Sequence, residues 1–190
     1  KGHSPRGHDH RAMWREMFDT ATSDIGTYQS GYMGPEDPDT PSLVNGFSPE
    51  EVSTHVAKTK GRRQFDDVLG TCIFCMRVPA QQVIDLLNAA TGWDFTAKEA
   101  QDVGFRAAAL MRAFNLKHGV SLETEQPSPR WSSAPVDGPA KGVSIAPHWE
   151  GMLDNYYEQM AWDRESGRPM PETLRALGLD DVVDDLWKTD

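Results

Sequence analysis

The sequence predicts an all-α fold, an irregular (orthogonal) multi-helix domain with long ordered loops. Apolar residues recur at helical spacing in several windows, capping patterns precede several of these windows, and the strand signal is weak along the whole chain. The chain has 13 Pro and 16 Gly among its 190 residues, many of them clustered, which indicates that much of it is ordered loop. At 190 residues we expect one domain, and no internal repeat appears.

Charge and composition restrict the class of partner. The net charge of -10 argues against nucleic acid and against anionic membrane surfaces, because both require basic patches. No apolar run approaches the roughly 18 to 20 residues of a membrane span, and no signal peptide is visible. The two cysteines do not form the framework of a secreted protein, so we expect a reducing, cytoplasmic compartment. The first residue is Lys1 rather than Met, which suggests a fragment or a processed chain.

The first eleven residues are rich in Gly, Pro and His, and we expect them to form an ordered loop. Its histidines, His3, His8 and His10, raise the alternatives of a zinc site or an expression tag. The residues between them fit a tag poorly, and no second ligand cluster at the usual spacing completes a zinc site. Asp9 is placed to cap the helix that follows, which we expect to face the core and to extend up to Gly26. The apolar positions of this helix are Met13, Met17, Phe18 and Ala21.

A turn-rich surface loop is predicted up to Asn45, before the clearest helix start in the chain. This start has an N-cap, a proline and a first-turn acid, namely Ser48, Pro49 and Glu51. Phe47 can pack on Val52 as a hydrophobic staple. We expect this helix to continue to about Leu69.

Two further helices follow the stretch that contains the cysteines. Pro79 opens the first, and Gly92 ends it. A capping box of Thr96 and Glu99 starts the longest helix, in which His118 is expected to be a dipole-compatible cap residue near the end. The apolar residues of the longest helix at helical spacing are Val103, Ala107, Leu110, Met111 and Phe114.

The last part of the chain begins with a long irregular segment, residues 120–147. Loops of this length inside a compact domain are usually functional or wrap a neighbour. Pro147 then opens a helix with a broad aromatic stripe, which we interpret as core or interface rather than as a cofactor site. The stripe consists of Trp149, Leu153, Tyr156, Tyr157 and Met160. A short helix from Pro171 to Gly178 and an amphipathic last turn complete the chain.

The stretch at residues 65–75 holds both cysteines and is the main candidate for chemistry. The predicted helix brings Asp67 and Gly70 to its C-terminal end, and Cys72 follows. Because Gly allows a left-handed turn, this spacing can direct backbone groups, a carboxylate and a sulfur at one bound object. The structural alternative is a helix cap followed by two buried thiols, since Cys is among the residue types most often buried.

A set of short motifs is distributed in order over nearly all 190 residues. They are Lys-Gly at 1–2 with Gly-His-Asp-His-Arg at 7–11, Ala-Thr-Ser-Asp at 21–24, Asp-Val-Leu-Gly-Thr-Cys at 67–72, Leu-Asn-Ala-Ala-Thr-Gly-Trp at 87–93, Arg-Ala-Phe-Asn-Leu at 112–116, Asp-Gly-Pro-Ala-Lys-Gly at 137–142, Met-Leu-Asp-Asn-Tyr-Tyr at 152–157 and Pro-Glu-Thr-Leu at 171–174 leading to Gly-Leu at 178–179. Each motif is weak alone, but the ordered set is specific. By this set the chain resembles the C-terminal domain of the tungsten-containing aldehyde ferredoxin oxidoreductase family.

The resemblance gives the central stretch a specific meaning. In this family an Asp-x-x-Gly-Leu-Cys motif binds one of two pyranopterins that hold the tungsten, and its Cys is the fourth ligand of a [4Fe-4S] cluster. Asp67 would then accept hydrogen bonds from pterin ring nitrogens, and Cys72 would bind iron. Gly70 and Thr71 would offer backbone groups, although Thr71 stands where Leu is usual. Cys75 is extra to the motif and is expected to be a buried bystander.

The resemblance also implies that this chain alone cannot assemble the site. In the family the other three cluster cysteines, a further pterin motif and part of the substrate pocket come from earlier domains. We therefore expect residues 1–190 to be the C-terminal helical domain of a larger oxidoreductase, not active alone.

Candidates for proton transfer come from the first loop and helix. The resemblance places His8 where an aromatic residue, often Tyr, precedes Asp9. It places Gln29 where aldehyde-oxidising members usually carry a His. Gln cannot transfer a proton at neutral pH, so either His8 or His10 takes over or the substrate differs. The candidate catalytic residues are therefore His8, His10 and Gln29.

The resemblance implies an enzyme that oxidises aldehydes to carboxylic acids at a tungsten or molybdenum bis-pyranopterin. Electrons would leave through [4Fe-4S] to ferredoxin or another electron carrier, and the remainder of the parent polypeptide would be a further partner. A homo- or hetero-oligomer is left open. Gln29 motivates an alternative within the family, a low-potential aryl-CoA reductase. A reading from another class is a non-catalytic helical interaction module, in which Cys72 and Cys75 are structural or bind zinc.

Overall fold

The computed structural model describes residues 9–26, 29–30, 43, 45–72 and 78–188. Within these ranges the regular structure is helical and no strand is formed, which confirms the predicted all-α class. An isolated antiparallel bridge joins Trp162 to Pro169. The α-helices are α1 Trp14–Thr22, α2 Pro49–Lys58, α3 Arg62–Val68, α4 Ala80–Thr91, α5 Ala97–Lys117, α6 Pro129–Ser132, α7 Trp149–Met160, α8 Pro171–Ala176 and α9 Asp180–Trp187. Short 3-10 turns cover His10–Ala12, Leu122–Thr124 and Ala146–His148.

Most of the predicted helix boundaries follow from local capping chemistry. The Ser48 side chain accepts a hydrogen bond from the Glu51 amide and caps α2, as predicted. Thr96 and Glu99 form the complete capping box of α5, because each side chain bonds the backbone amide of the other residue. Gly92 ends α4 in a left-handed conformation.

The prediction for Asp9 is wrong by one turn. Its carboxylate accepts a hydrogen bond from the Arg11 amide and so caps the 3-10 turn His10–Ala12 rather than α1. Helix α1 begins at Trp14, and its N-cap residue, Met13, makes no side-chain capping bond. The bulky Trp14 and Phe18 of α1 are buried, which agrees with the prediction that this helix faces the core.

The prediction of one helix from Ser48 to about Leu69 is also wrong. The chain forms two helices, α2 and α3, because Gly61 between them adopts a left-handed conformation with φ of 85°. Here the backbone packs against Gly104 of α5, and a Cβ added to Gly61 would lie 2.4 Å from the Gly104 carbonyl carbon. A side chain on either glycine would prevent this approach, so the break in the helix is fixed by a long-range backbone contact.

The main core lies between α1, α2 and α7. The aromatic stripe predicted on α7 is buried there, with Tyr156 and Tyr157 at most 1% exposed. Phe18 of α1 meets Trp149 and Tyr156 edge to face, at ring-centroid distances of 5.2 and 5.6 Å. Smaller clusters pack α5 against α8 and α9, and α3 against α4 and the start of α5.

Helix α5 buries a different face from the one suggested by its large apolar residues. Leu110 and Phe114 are 49% and 59% exposed. The buried positions are occupied instead by small residues and one arginine, namely Ala100, Gly104, Ala108, Ala109, Arg112 and Ala113. Small residues allow α5 to approach its neighbours closely. His118 is the C-cap of α5 as predicted, and its ring nitrogen Nδ1 lies 2.7 Å from the Phe114 carbonyl oxygen.

Candidate functional site

The C-terminal end of α3 forms a compact turn at residues 67–72, which we call the α3 turn. The Gly70 amide donates to the Asp67 carbonyl and the Thr71 amide donates to the Asp66 carbonyl, both at 3.0 Å. This pair of bonds defines a Schellman motif, with Gly70 in the left-handed conformation at φ of 71°. The predicted helix end and left-handed glycine are therefore confirmed.

The α3 turn presents its chemical groups outward. Asp67, Gly70 and Cys72 are exposed, and Thr71 is half-buried with its hydroxyl bonded to the Asp66 carbonyl. A Cβ added to Gly70 would meet no atom within 4 Å. The exposure of Cys72 contradicts the alternative of two buried thiols as far as this residue is concerned. Cys75, predicted to be a buried bystander, lies outside the described residues.

The other side chains of α3 fix the helix to the domain. Phe65 is buried and stacks on Phe95, with ring centroids 6.1 Å apart. Arg62 and Asp66 form a buried ion pair one helical turn apart, at 2.5 Å. Asp67 differs from them, because its side chain makes no hydrogen bond or ion pair with the described residues.

Gln29 is fully buried, at 0% exposure, and acts as a bracing residue between several segments. Its side-chain oxygen accepts a hydrogen bond from the Asp24 amide at 2.9 Å, and its side-chain nitrogen lies 3.9 Å from the Met111 sulfur. Its amide donates to Asp19, and its carbonyl accepts from the Arg63 amide at 3.3 Å. A catalytic role of Gln29 stays a prediction, and its contacts describe a structural one.

Helix α3 joins Gln29 to the α3 turn. Arg63, whose amide bonds Gln29, lies in the first turn of this seven-residue helix, and Asp67 lies in its last turn. A helix of this length spans about 10 Å. Two of the positions predicted to be functional therefore stand at opposite ends of one short helix.

His10 is buried at the start of the domain. Its Nε2 lies 3.7 Å from a Glu16 carboxylate oxygen, and its ring centroid lies 5.7 Å from that of Trp131. His8 lies outside the described residues.

A buried ion pair that the sequence analysis missed lies next to Gln29. The Lys60 ammonium is 3.3 Å from an Asp19 carboxylate oxygen, and the two side chains are 0% and 1% exposed. Asp19 also accepts hydrogen bonds from the Gln29 amide, the Ser30 amide and the Ser30 hydroxyl. An acid in α1 and a lysine 41 residues later give no periodic signal in the sequence, so only the fold shows the pair.

A second buried cluster, around Arg112, was missed for the same reason. Its guanidinium contacts Glu125 at 2.5 Å, Asp24 at 3.5 Å, the Tyr157 hydroxyl at 2.5 Å and the Gly167 carbonyl at 2.9 Å. Burial acts to lower the Arg112 pKa, but the charges of Glu125 and Asp24 outweigh burial and raise that pKa above its ordinary value. Burial raises the pKa of the Tyr157 phenol, although Arg112 opposes the rise. Arg112 therefore stays charged and Tyr157 stays neutral at ordinary pH.

Two of the sequence motifs, which are far apart in the chain, meet in this cluster. Asn115 lies three residues after Arg112 on α5, and its side-chain amide donates to the Asp24 carbonyl at 2.8 Å and to the Asp24 carboxylate at 3.2 Å. The motifs at residues 21–24 and 112–116 therefore meet at Asp24. Since the Asp24 amide bonds the Gln29 side chain, both motifs also support Gln29.

Among the residues that the structure describes, no group of three or more His, Cys, Asp or Glu side chains is placed to hold a metal ion. Among the same residues, no helix has the length and apolar character needed to cross a membrane.

Together, the helical fold and the exposed acid-glycine-thiol turn define an all-α domain with a candidate cofactor-binding turn at the end of a short helix. Over residues 1–179 the chain matches the family described as "Aldehyde ferredoxin oxidoreductase, domains 2 & 3". The chain belongs to this family, as its motifs indicated.

Individual relatives are similar over part of the chain. A tungsten-containing aldehyde ferredoxin oxidoreductase of Pyrococcus horikoshii is 37% identical over 120 residues, which are 62% of this chain and 19% of the relative. Proteins of the same name from Pyrococcus abyssi and Pyrococcus furiosus are each 36% identical, over 62% and 60% of this chain. The matched stretch thus covers about a fifth of the length of these relatives, 19% in each case.

Proposed function

We propose that this chain is the cofactor-binding part of a tungsten bis-pyranopterin oxidoreductase. The complete enzyme would oxidise aldehydes to carboxylic acids and pass the electrons through a [4Fe-4S] cluster to ferredoxin. The observation that carries the proposal is the α3 turn, in which Asp67 and Cys72 are exposed at the end of a helix that is otherwise fixed to the core. Membership of the family supports it.

The residues of the α3 turn fit such a cofactor. The exposed Asp67 carboxylate has acceptor oxygens that suit the N–H edge of an aminopterin. The exposed Cys72 can supply a thiolate, the usual ligand of iron-sulfur clusters. The amides of Gly70 and Thr71 are already used inside the turn, so a ligand would meet the carbonyl oxygens of these two residues.

Each of these residues would have a separate role. Asp67 would orient the pterin ring, and Cys72 would hold the cluster close to it. When bound, the tungsten would supply a two-electron redox centre and a Lewis acid. His10 and His8 would be the candidates for holding or moving a proton, since imidazole titrates near neutral pH and the Gln29 amide does not.

Gln29 stands where aldehyde-oxidising members of the family usually carry a His, and this motivates a second candidate, a low-potential reductase of aryl-CoA thioesters in the same family. The Gln29 side chain is buried and bonded to the Asp24 amide, so it offers neither a titratable group nor an exposed one. Steady-state assays of the complete enzyme separate the two candidates. Turnover of an aryl-CoA without aldehyde oxidation would contradict the aldehyde proposal.

Cysteine substitutions in the complete enzyme test the cofactor assignment directly. We expect Cys72→Ser to abolish the electron paramagnetic resonance signal of the reduced cluster, because a hydroxyl is a poor ligand for iron. Cys75→Ser is the matched control, three residues away, and should leave the signal intact. An unchanged spectrum in Cys72→Ser would remove Cys72 from the ligand set.

Metal analysis separates catalysis from the interaction module. Tungsten or molybdenum together with iron in the complete enzyme would support the oxidoreductase. Zinc alone, at a level unaffected by Cys72→Ser, would instead support a non-catalytic helical module.

A further inference from the structure

We propose that the buried Lys60–Asp19 ion pair is a positioning device for the α3 turn, and that it acts through the N-terminal end of α3. This inference rests on the proposed function, because it assigns the α3 turn a bound cofactor. Lys60 lies two residues before α3 begins, and Asp67 and Cys72 lie at the other end. The pair does not touch Asp67 or Cys72. It would act on them indirectly, by fixing the position at which α3 starts.

The ion pair itself is unusually buried. Lys60 and Asp19 are 0% and 1% exposed, and the lysine also lies 3.5 Å from the Thr22 hydroxyl and 5.3 Å from the centre of the Tyr156 ring. Removing two charges from water is costly, so such a pair is weak evidence for net stabilisation. A role in fixing a particular arrangement of segments explains its presence better.

The pair also fixes α3 through Gln29. The Asp19 carboxylate accepts three hydrogen bonds from two consecutive residues, one from the Gln29 amide and two from Ser30. The Gln29 carbonyl in turn accepts from the Arg63 amide in the first turn of α3. Asp19 is therefore linked to the base of α3 by two routes, through Lys60 and through Gln29.

A third attachment at the same end makes the base of α3 rigid. Gly61 packs backbone to backbone against Gly104, one residue before α3 begins. With the base held at residues 60–63, the position of the α3 turn depends on the direction of the helix. A tilt of about 10° at the base of a helix about 10 Å long moves its far end by about 2 Å. Functional groups need to be held to within about 0.5 Å, so a small tilt matters.

The complete enzyme with Lys60→Met tests the proposal. Met has a similar length but no charge, so Asp19 loses its cation and the base of α3 is expected to shift. We expect a broadened or shifted electron paramagnetic resonance spectrum of the reduced cluster, and loss of tungsten to a chelator about tenfold faster than in the wild type. The control is Leu186→Ala, which opens a cavity in the buried cluster between α5, α8 and α9, a cluster that includes neither α3 nor Gln29 and Ser30. It should lower the melting temperature but leave the spectrum unchanged.

A second variant covers the case in which Lys60→Met does not fold. Ser30→Ala removes only the hydroxyl that donates to Asp19 and is expected to fold, with a smaller spectral change in the same direction. Wild-type spectra and wild-type tungsten retention in folded Lys60→Met would overturn the proposal. The same result in Ser30→Ala would overturn it if Lys60→Met does not fold. Equal spectral changes in Leu186→Ala would overturn it too, because the effect would then be one of general stability. A wild-type enzyme with neither cluster nor tungsten would instead refute the proposed function, and this inference with it.

Discussion

At the scale of single residues, the closest backbone approach at any described glycine is between Gly61 and Gly104. A Cβ on Gly104 would lie 2.2 Å from the Gly61 carbonyl oxygen, and a Cβ on Gly61 would lie 2.4 Å from the Gly104 carbonyl carbon. Both obstructing groups are backbone, which cannot rotate away as a side chain can. This one contact sets both the break between α2 and α3 and the distance of α3 from α5.

We expect Gly104→Ala to destabilise the protein by about 3 kcal/mol, because the added methyl group overpacks a backbone contact. The matched control is Gly151→Ala, since Gly151 also lies within a helix but has no atom within 4 Å of the added Cβ. This control should stabilise the protein by up to about 1 kcal/mol through helix propensity. Urea unfolding of the purified variants measures both, and equal effects would show that the Gly61–Gly104 contact is looser than described.

At the scale of helices, local capping chemistry predicts where a helix starts and ends better than it predicts whether the helix is unbroken in between. The caps at Ser48 and Thr96 and the left-handed Gly92 could be predicted because each depends on a few neighbouring residues. The break at Gly61 could not, since it depends on Gly104, 43 residues later in the chain. The buried face of α5 was missed because its small residues give little hydrophobic signal, whereas the exposed Leu110 and Phe114 give a strong one.

In the candidate site, too, the local features could be predicted from the sequence and the long-range contacts could not. The acid, the glycine and the thiol of the α3 turn lie within six residues, so their spacing alone could predict a helix end with a left-handed glycine. The supports of that turn, Lys60 with Asp19 and Gln29 with Arg63, join residues that are tens of positions apart. Such pairs have no sequence pattern of their own and become visible only in the folded chain.

The capping box of α5 leads to a prediction for a whole helix. Thr96→Ala removes the side-chain oxygen that accepts from the Glu99 amide, and should cost about 1 kcal/mol of stability. Ser128→Ala is the comparison, since Ser128 stands at the N-cap of α6 without a side-chain capping bond. Its effect should be within about 0.5 kcal/mol of zero. Thermal unfolding of both variants checks the difference, and a loss of stability in Ser128→Ala as large as in Thr96→Ala would contradict the assignment.

At the scale of the whole molecule, the Arg112 cluster joins segments that are far apart in the chain. The arginine of α5 contacts Asp24 after α1, Glu125 in the long irregular segment, Tyr157 of α7 and Gly167 after α7. A Cβ on Gly167 would lie 2.5 Å from the guanidinium, so this glycine is needed for the close approach. The long segment at residues 120–147, predicted as an irregular loop, contains the 3-10 turn Leu122–Thr124 and the short helix α6, and is fixed to the core through Glu125.

Arg112→Met should therefore destabilise the whole domain by about 4 kcal/mol, because it removes the cation from two buried carboxylates. Arg164→Met is a close control. Arg164 also pairs with two acids, Glu150 at 2.9 Å and Asp154 at 2.8 Å, and also lies over the Tyr157 ring, but its side chain is 37% exposed. Water screens these pairs, so the control should lose less than about 1 kcal/mol.

Adding Glu125→Gln to Arg112→Met should recover part of the loss of stability, since one of the two buried charges is then gone. Urea unfolding of the three variants measures these differences, and a double variant less stable than Arg112→Met would show that hydrogen bonds rather than charge balance hold the cluster together.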